Sequence, residues 1–247
     1  MKTTQDLFMK MISLEHLFQC WNDFKRGKHK RKDIQYFERD LEDNIFLLHE
    51  ELKTQQYEHL TYEHFRVTDP KQRFISKATV RDRLVHHMVF NELTAIFDNQ
   101  FIHLSLSCRK GKGIHFGILH LQRMIKMISS NGKKPCYALK MDIKRFFDTI
   151  DHKILKTLIR KRLYDDKVLK IIDSIIDSFT KNEKNTGIPL GNVTSQLFAN
   201  VYLHVLDDFI KQTLREKYYL RYSDDFIILS NEEHHLKSRH GSNSGNC

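Results

Sequence analysis

Apolar residues recur at helical spacing through most of the first hundred positions. Leu7, Met11, Leu14, Leu17, Phe18 and Trp21 predict a helix from Asp6 to Phe24. Ile34, Phe37, Leu41, Ile45, Leu48 and Leu52 predict a second, from about Asp33 to Leu52. The period then shortens. Tyr62, Phe65, Val67, Phe74 and Ile75 stand among polar residues on either side of Asp69-Pro70, which predicts a β-hairpin. Lys71 and Arg73, two apart, would share one face of its second strand. Helical spacing returns from Thr79, whose hydroxyl suits an N-cap, to about Phe97. It appears again from Ile114 to Ile128, closed by the turn signal Asn131-Gly132.

In the second half, Pro135 to Asp142 is a mostly apolar run of strand length that ends in a carboxylate, the pattern of a buried central strand. An aromatic-rich bend follows, and Asp151 is placed to cap a helix through Ile159. Val168, Ile171, Ile172, Ile175 and Ile176 predict a helix from about Asp166 to Phe179. Gly187 to Asn192 is a glycine-bounded loop leading into a long helix lined by Val193, Leu197, Val201, Leu206, Phe209 and Leu214. Then come two short β-forming runs, Tyr219–Tyr222 and Phe226–Ser230, around a Ser-Asp-Asp centre, which reads as a tight hairpin with adjacent carboxylates at its tip. Residues 231–247 are polar and without apolar periodicity, the composition of a disordered tail.

Composition narrows the class. At 247 residues and 40% hydrophobic, the chain can bury a real core, and its 11% aromatic content argues against wholesale disorder. Forty-one Lys and Arg against 31 Asp and Glu leave a net charge of +10, which points to a polyanionic partner such as nucleic acid. Basic clusters at Lys25–Lys32 and at Ser107–Gly113 fit phosphate binding, though the first equally fits a solvated linker and the second lacks the spacing of a triphosphate P-loop. No apolar run approaches the roughly 20 residues needed to span a bilayer, and Met1–Lys10 lacks a secretory core, so no membrane is expected. Cys20, Cys108, Cys136 and Cys247 are scattered, which favours a reducing, cytoplasmic setting over a disulfide or zinc framework.

The candidate chemistry lies in Asp142, Asp224 and Asp225. Alone, the hairpin Asp pair is also an ordinary Asp-rich turn. With the strand ending in Asp142 beside it, three carboxylates would share one edge of a sheet and repel one another. Divalent cations relieve that conflict, and Mg²⁺ is the usual choice of a few carboxylates acting with substrate phosphates. Asp148 and Asp151 read as capping residues, and His86-His87 and His234-His235 have no metal-ligand spacing.

The order of these features resembles a polymerase palm. Lys140-Met141-Asp142-Ile143-Lys144-Arg145-Phe146-Phe147-Asp148 is similar to the first catalytic motif of reverse transcriptases, Tyr222-Ser223-Asp224-Asp225 to their Tyr-x-Asp-Asp hairpin, and Ile188–Gln196 to their substrate-contacting loop. Within the family, Leu190-Gly191 and Ser195-Gln196 resemble the diversity-generating retroelement branch more than group II intron enzymes, which usually carry Gln-Gly and Ser-Pro there. So do Asp69–Arg73, Arg81–His87 and Cys108–His115.

The resemblance implies an α+β fold of right-hand fingers and palm, with an antiparallel palm sheet packed on helices. It divides the chain into an N-terminal helical extension (1–56), fingers (57–135), palm (136–230) and tail (231–247). It implies two Mg²⁺ ions on Asp142, Asp224 and Asp225 with the Ile143 carbonyl, and Lys71 and Arg73 on the incoming triphosphate. Phe147 stands as the steric gate against a ribose 2′-OH, Leu190 and Gly191 lie against the substrate, and Gln196 faces the templating region. Its partners would be template RNA, DNA primer, deoxynucleoside triphosphates and a basic accessory protein.

The family continues after the hairpin with more palm and a helical thumb, which the residues after Ser230 do not resemble. A fragment or an interrupted reading frame is therefore expected, with weakened grip on primer and template. The rival readings are a non-catalytic RNA-binding remnant and, against the Phe147 gate, an RNA-dependent RNA polymerase. An aliphatic Leu190 cannot hydrogen-bond the nucleotide, which fits low-fidelity copying of template adenines. Leu190→Gln should lower misincorporation opposite adenine several-fold, and an unchanged error spectrum in sequenced products would exclude that role.

Overall fold

The computed structural model describes residues 5–68, 72–180 and 185–241. Four helices open the chain: α1 (Gln5–Ile12), α2 (Leu14–Lys25), α3 (Lys32–Arg39) and α4 (Leu41–Lys53). Strands β1 (Glu63–Val67) and β2 (Arg73–Lys77) precede α5 (Val80–Phe97) and α6 (Ile114–Ile128). Then come β3 (Tyr137–Met141), the single turn α7 (Phe146–Thr149), α8 (His152–Arg160) and α9 (Asp166–Asp177). Helix α10 (Val193–Asp208) runs into a π-helical turn at Phe209–Thr213, and β4 (Tyr219–Tyr222), β5 (Asp225–Ser230) and α11 (Glu233–Gly241) close the order.

These elements form two compact units. The first comprises residues up to Asn99 together with Phe147–Phe198, and the second Gln100–Phe146 with the residues from Ala199 onward. The sequence-based divisions at 56/57, 135/136 and 230/231 follow function, and they do not coincide with these borders.

In the first unit α2 packs on α4 and α5, and α1 on α2, α4, α5 and α9. Trp21, Leu17, Ile45, Leu48, Leu52, Leu84, Val85 and Met88 are buried there, as their spacing predicts. The two long N-terminal helices of the sequence reading are each broken in two. At Ser13 the side chain accepts a hydrogen bond from the His16 amide at 3.3 Å, capping α2. At Asp40 the backbone leaves the helical region (φ −116°, ψ 44°), and Asn44 Nδ2 bridges back to the Phe37 carbonyl at 3.1 Å. The caps expected at Thr79 and Asp151 are present, accepting from the amides of Asp82 and Ile154. Strands β1 and β2 pair antiparallel from Glu63↔Lys77 to Val67↔Arg73, and the turn expected at Asp69-Pro70 lies outside the described residues.

The second unit is built on an antiparallel sheet in the order β3-β5-β4. One face, through Leu220 and Leu229, packs with Leu106, Met124 and Ile128, the last two from α6. The other, through Tyr219, Phe226 and Ile228, packs with Ile210 and with Leu236 of α11. Two expectations are corrected by this sheet. The apolar run at 135–142 is an edge strand, mostly exposed, because β5 takes the centre and pairs on both sides. The polar tail is not disordered at Glu233–Gly241, which are helical because Leu236 anchors them on the sheet; residues 242–247 lie outside the described residues.

Among the described residues no helix is long and apolar enough to cross a membrane. Leu236 is 6% exposed and is the apolar contact of α11 with the sheet. Leu236→Ala should therefore lower unfolding free energy by about 2–3 kcal/mol in denaturant titrations, where a disordered tail would give no change.

Candidate active site

In the second unit, strand pairing carries two of the three carboxylates to neighbouring strand ends. The β3–β5 register ends at Met141↔Phe226, so the next position places Asp142 across from Asp225, where directly opposed residues share a face. Tyr222↔Asp225 is the last pair of the β4–β5 hairpin, which leaves Ser223 and Asp224 as a two-residue turn. Ser223 has φ +57°, a backbone conformation uncommon for a residue other than glycine. Asp142 and Asp225 are exposed, Asp224 and Ile143 half-buried.

Lys140, two residues before Asp142 and so on the same face, places Nζ 3.5 Å from Asp225 Oδ1. A cationic group thus already sits against this carboxylate, and the donors are all hard oxygens, the kind that Mg²⁺ prefers. The chemistry of the set fits a divalent cation. The three side chains are nevertheless not drawn to ligating distance: among the described residues no group of three or more His, Cys, Asp or Glu could hold a metal ion.

The first unit gathers a second set. The loop before α10 is pinned on one side to the chain after β3. Ile188 donates its amide to the Phe147 carbonyl at 2.8 Å, Gly187 to Ile150 at 2.8 Å, and His152 Nε2 lies 2.7 Å from the Gly187 carbonyl. On the other side it runs along β2. Ser76 donates its amide to the Leu190 carbonyl at 3.0 Å, and Asn192 donates Nδ2 to the Ser76 carbonyl at 3.0 Å while accepting from the Ala78 amide at 3.4 Å. Gly191 has φ +112°, and a Cβ there would meet Ile75 Cγ2 at 2.8 Å, so both backbone and space demand glycine. Phe147, Leu190, Gly191 and the strand carrying Arg73 are thereby joined. Arg73 is exposed and, with Arg66, Gln72 and Phe74, lines a shallow pocket; Lys71 lies outside the described residues.

Gln196 is half-buried in the first turn of α10. Two residues earlier, Thr194 Oγ1 meets His86 Nδ1, whose other ring nitrogen is 3.0 Å from His59 Nε2. Burial, then His59 and Arg83, push the His86 pKa down to about 3, so it stays neutral and structural. Two groups escaped the sequence reading. Asn192 holds the loop to β2, and its only signal was its place after a glycine. The other is the fully buried Arg221–Asp207 pair under the hairpin, which in sequence looks like two surface charges.

Residues 67–241 match the family model described as reverse transcriptase (RNA-dependent DNA polymerase). The chain is 28% identical over 172 residues to an uncharacterised 91 kDa protein in the cob intron of Schizosaccharomyces pombe, covering 64% of this chain and 20% of that protein. It is 29% identical over 147 residues to the group II intron-encoded protein LtrA of Lactococcus lactis, covering 58% and 23%. It thus spans less than a quarter of either relative. Telomerase from Candida albicans shares the fold, with a TM-score of 0.55 at 12% identity over 85% of this chain and 45% of that one.

Gly191→Ala should lower stability by about 1–3 kcal/mol, read as a fall in thermal midpoint, since the alanine must be strained or the Leu190–Ser76 contact opened. Gly111→Ala, also at positive φ but with open space around it, should cost less.

Proposed function

The chain belongs to the reverse transcriptase family, and from that premise we propose that it is an RNA-directed DNA polymerase of a mobile retroelement. The observation that carries this reading is the β3–β5–β4 register, which sets Asp142 opposite Asp225 beside the Asp224 turn. Asp142, Asp224 and Asp225, with the Ile143 carbonyl, would hold two Mg²⁺ ions. Bound there, such ions supply charge stabilisation to the attacking and leaving oxygens of nucleotidyl transfer.

The chain's own residues supply the rest. Arg73, exposed at the start of β2, would take the triphosphate together with Lys71, since guanidinium and ammonium groups are well suited to it. Gly191 lets backbone approach the nucleotide, and the Phe147 ring would crowd a ribose 2′-OH, selecting deoxynucleotides. Lys140 would yield Asp225 to the cation, since an exposed pair of this kind contributes at most about 1 kcal/mol. Template RNA and a DNA primer are the partners, consistent with the net charge of +10.

Two branches of the family are supported by different observations. Leu190 and Gln196 favour error-prone copying of a diversity-generating type, while the similarity to intron-encoded proteins favours the intron type. The error spectrum opposite template adenine separates them.

Primer extension on an RNA template with Mg²⁺ and deoxynucleotides tests the activity. The unmodified chain should extend the primer, and Asp224→Asn should reduce extension by at least about a thousandfold, several kcal/mol of transition-state stabilisation. Equal extension by both, or RNA binding with extension by neither, would overturn the reading, the latter in favour of a binding protein.

A further inference from the structure

Beneath the hairpin, Arg221 is fully buried and every one of its guanidinium donors is used. Nε donates to Asp207 Oδ1 at 2.8 Å and Nη2 to Asp207 Oδ2 at 2.7 Å. Nη2 also reaches Ser105 Oγ at 2.9 Å, and Nη1 reaches Asn200 Oδ1 at 3.1 Å. The remaining Nη1 contact, at 3.0 Å, goes to the carbonyl of Ser223, the residue at φ +57° in the turn that carries Asp224. A guanidinium has five N–H donors in a fixed plane, so these acceptors exhaust it and fix its orientation.

The acceptors are themselves held. Asp207 Oδ1 accepts from Tyr219 Oη at 2.7 Å, and Asn200 donates Nδ2 to the Ser107 carbonyl at 2.8 Å. The Arg221 backbone is tied to a neighbouring segment as well, donating to Leu104 O at 2.9 Å and accepting from the Leu106 amide at 3.0 Å. Four of the five contacts anchor the plane in the core. The fifth points out of the core into the turn.

A buried ion pair contributes little net stability, because desolvating the charges offsets their attraction, and apolar replacements of similar size are often as stable. What this pair supplies is a rigid, directional donor below a turn that holds an L-residue in the left-handed region, a strained conformation that persists only where surroundings over-determine it.

We propose that Arg221, locked on Asp207, Asn200 and Ser105, is a positioning residue that fixes the Ser223 carbonyl and so aims the Asp224 and Asp225 carboxylates. The proposal rests on the reading of those carboxylates as cation ligands only for its consequence; the clamp itself is independent of it. Supports behind the ligands of a metal site typically matter by 10–100-fold in affinity or activity.

Two variants of the full chain test it. Arg221→Lys keeps a positive charge on Asp207, but its compact head cannot span Asp207, Asn200 and Ser223 together. Asp207→Leu combined with Arg221→Met removes both charges, so that neither is left stranded. Hydrogen–deuterium exchange is read without metal at the amides of Asp224 and Asp225, with Ile227 and Ile228 in β5 as controls. In either folded variant the turn amides should exchange about tenfold faster relative to the β5 amides, beyond any common change that the lost buried hydrogen bonds produce. Unchanged turn exchange overturns the proposal. So does equal loosening of turn and strand, or failure of both variants to fold, since Arg221 would then serve the core alone. Mn²⁺ binding, followed by the electron paramagnetic resonance signal of the free ion, should weaken about 10–100-fold in the same variants. If Asp142→Asn and Asp225→Asn leave Mn²⁺ binding untouched, the carboxylate reading fails, and the exchange result still decides the clamp.

Discussion

The second unit depends on one register, that of β5 between β3 and β4. Side chains alternate along a strand, so a slip of one residue would exchange the two faces of the sheet. Leu229 would leave the α6 side and Phe226 and Ile228 the α11 side, and two separate cores would be lost together. The same register puts Asp225 on the face and at the level of Asp142. Hydrophobic burial on both faces, at about 25 cal/mol per Å² of apolar surface, therefore holds the carboxylates in place without any direct attraction between them. The site is located by packing that lies elsewhere.

The first unit solves a different problem. Strands β1 and β2 form a two-stranded ribbon, with β1 exposed along its whole length, and such a hairpin is marginal alone. The loop at Leu190–Asn192 supplies what a third strand would. It takes the Ser76 amide and carbonyl and the Ala78 amide, and Gly191 permits the approach by lacking a Cβ. Arg73 and Phe74 can thus stay exposed on an otherwise weak element.

Most helices were legible because their apolar faces are long and periodic, and the hairpin carrying Asp224 was legible from its β-forming flanks. The breaks at Ser13 and Asp40 were not. Met11 to Leu14 and Phe37 to Leu41 keep helical intervals across them, so periodicity runs through a cap without registering it. Helix α11 has one apolar anchor, Leu236, too little to raise a pattern. The edge position of β3 depended on which strands pair, which composition cannot express. Arg221 is the clearest case: a charged residue between Leu220 and Tyr222 reads as solvent-facing until its five acceptors are known, and those come from four separate places in the chain.

Charge at the sheet edge has its own logic. Asp142 and Asp225 on one face repel one another unless a positive group lies near them. Lys140 provides that charge from the same strand face as Asp142. Both Lys140 and Asp225 are more than half exposed, so water screens the pair and its contribution stays near the low end for surface ion pairs. A monovalent ammonium on a flexible stem thus offsets that repulsion, and a divalent ion at equal distance would attract each carboxylate twice as strongly. The buried guanidinium of Arg221 cannot play this part, because Asp207 neutralises it at 2.7 Å. The two cations therefore serve different ends. The exposed lysine balances charge and can give way, whereas the buried arginine holds geometry and cannot.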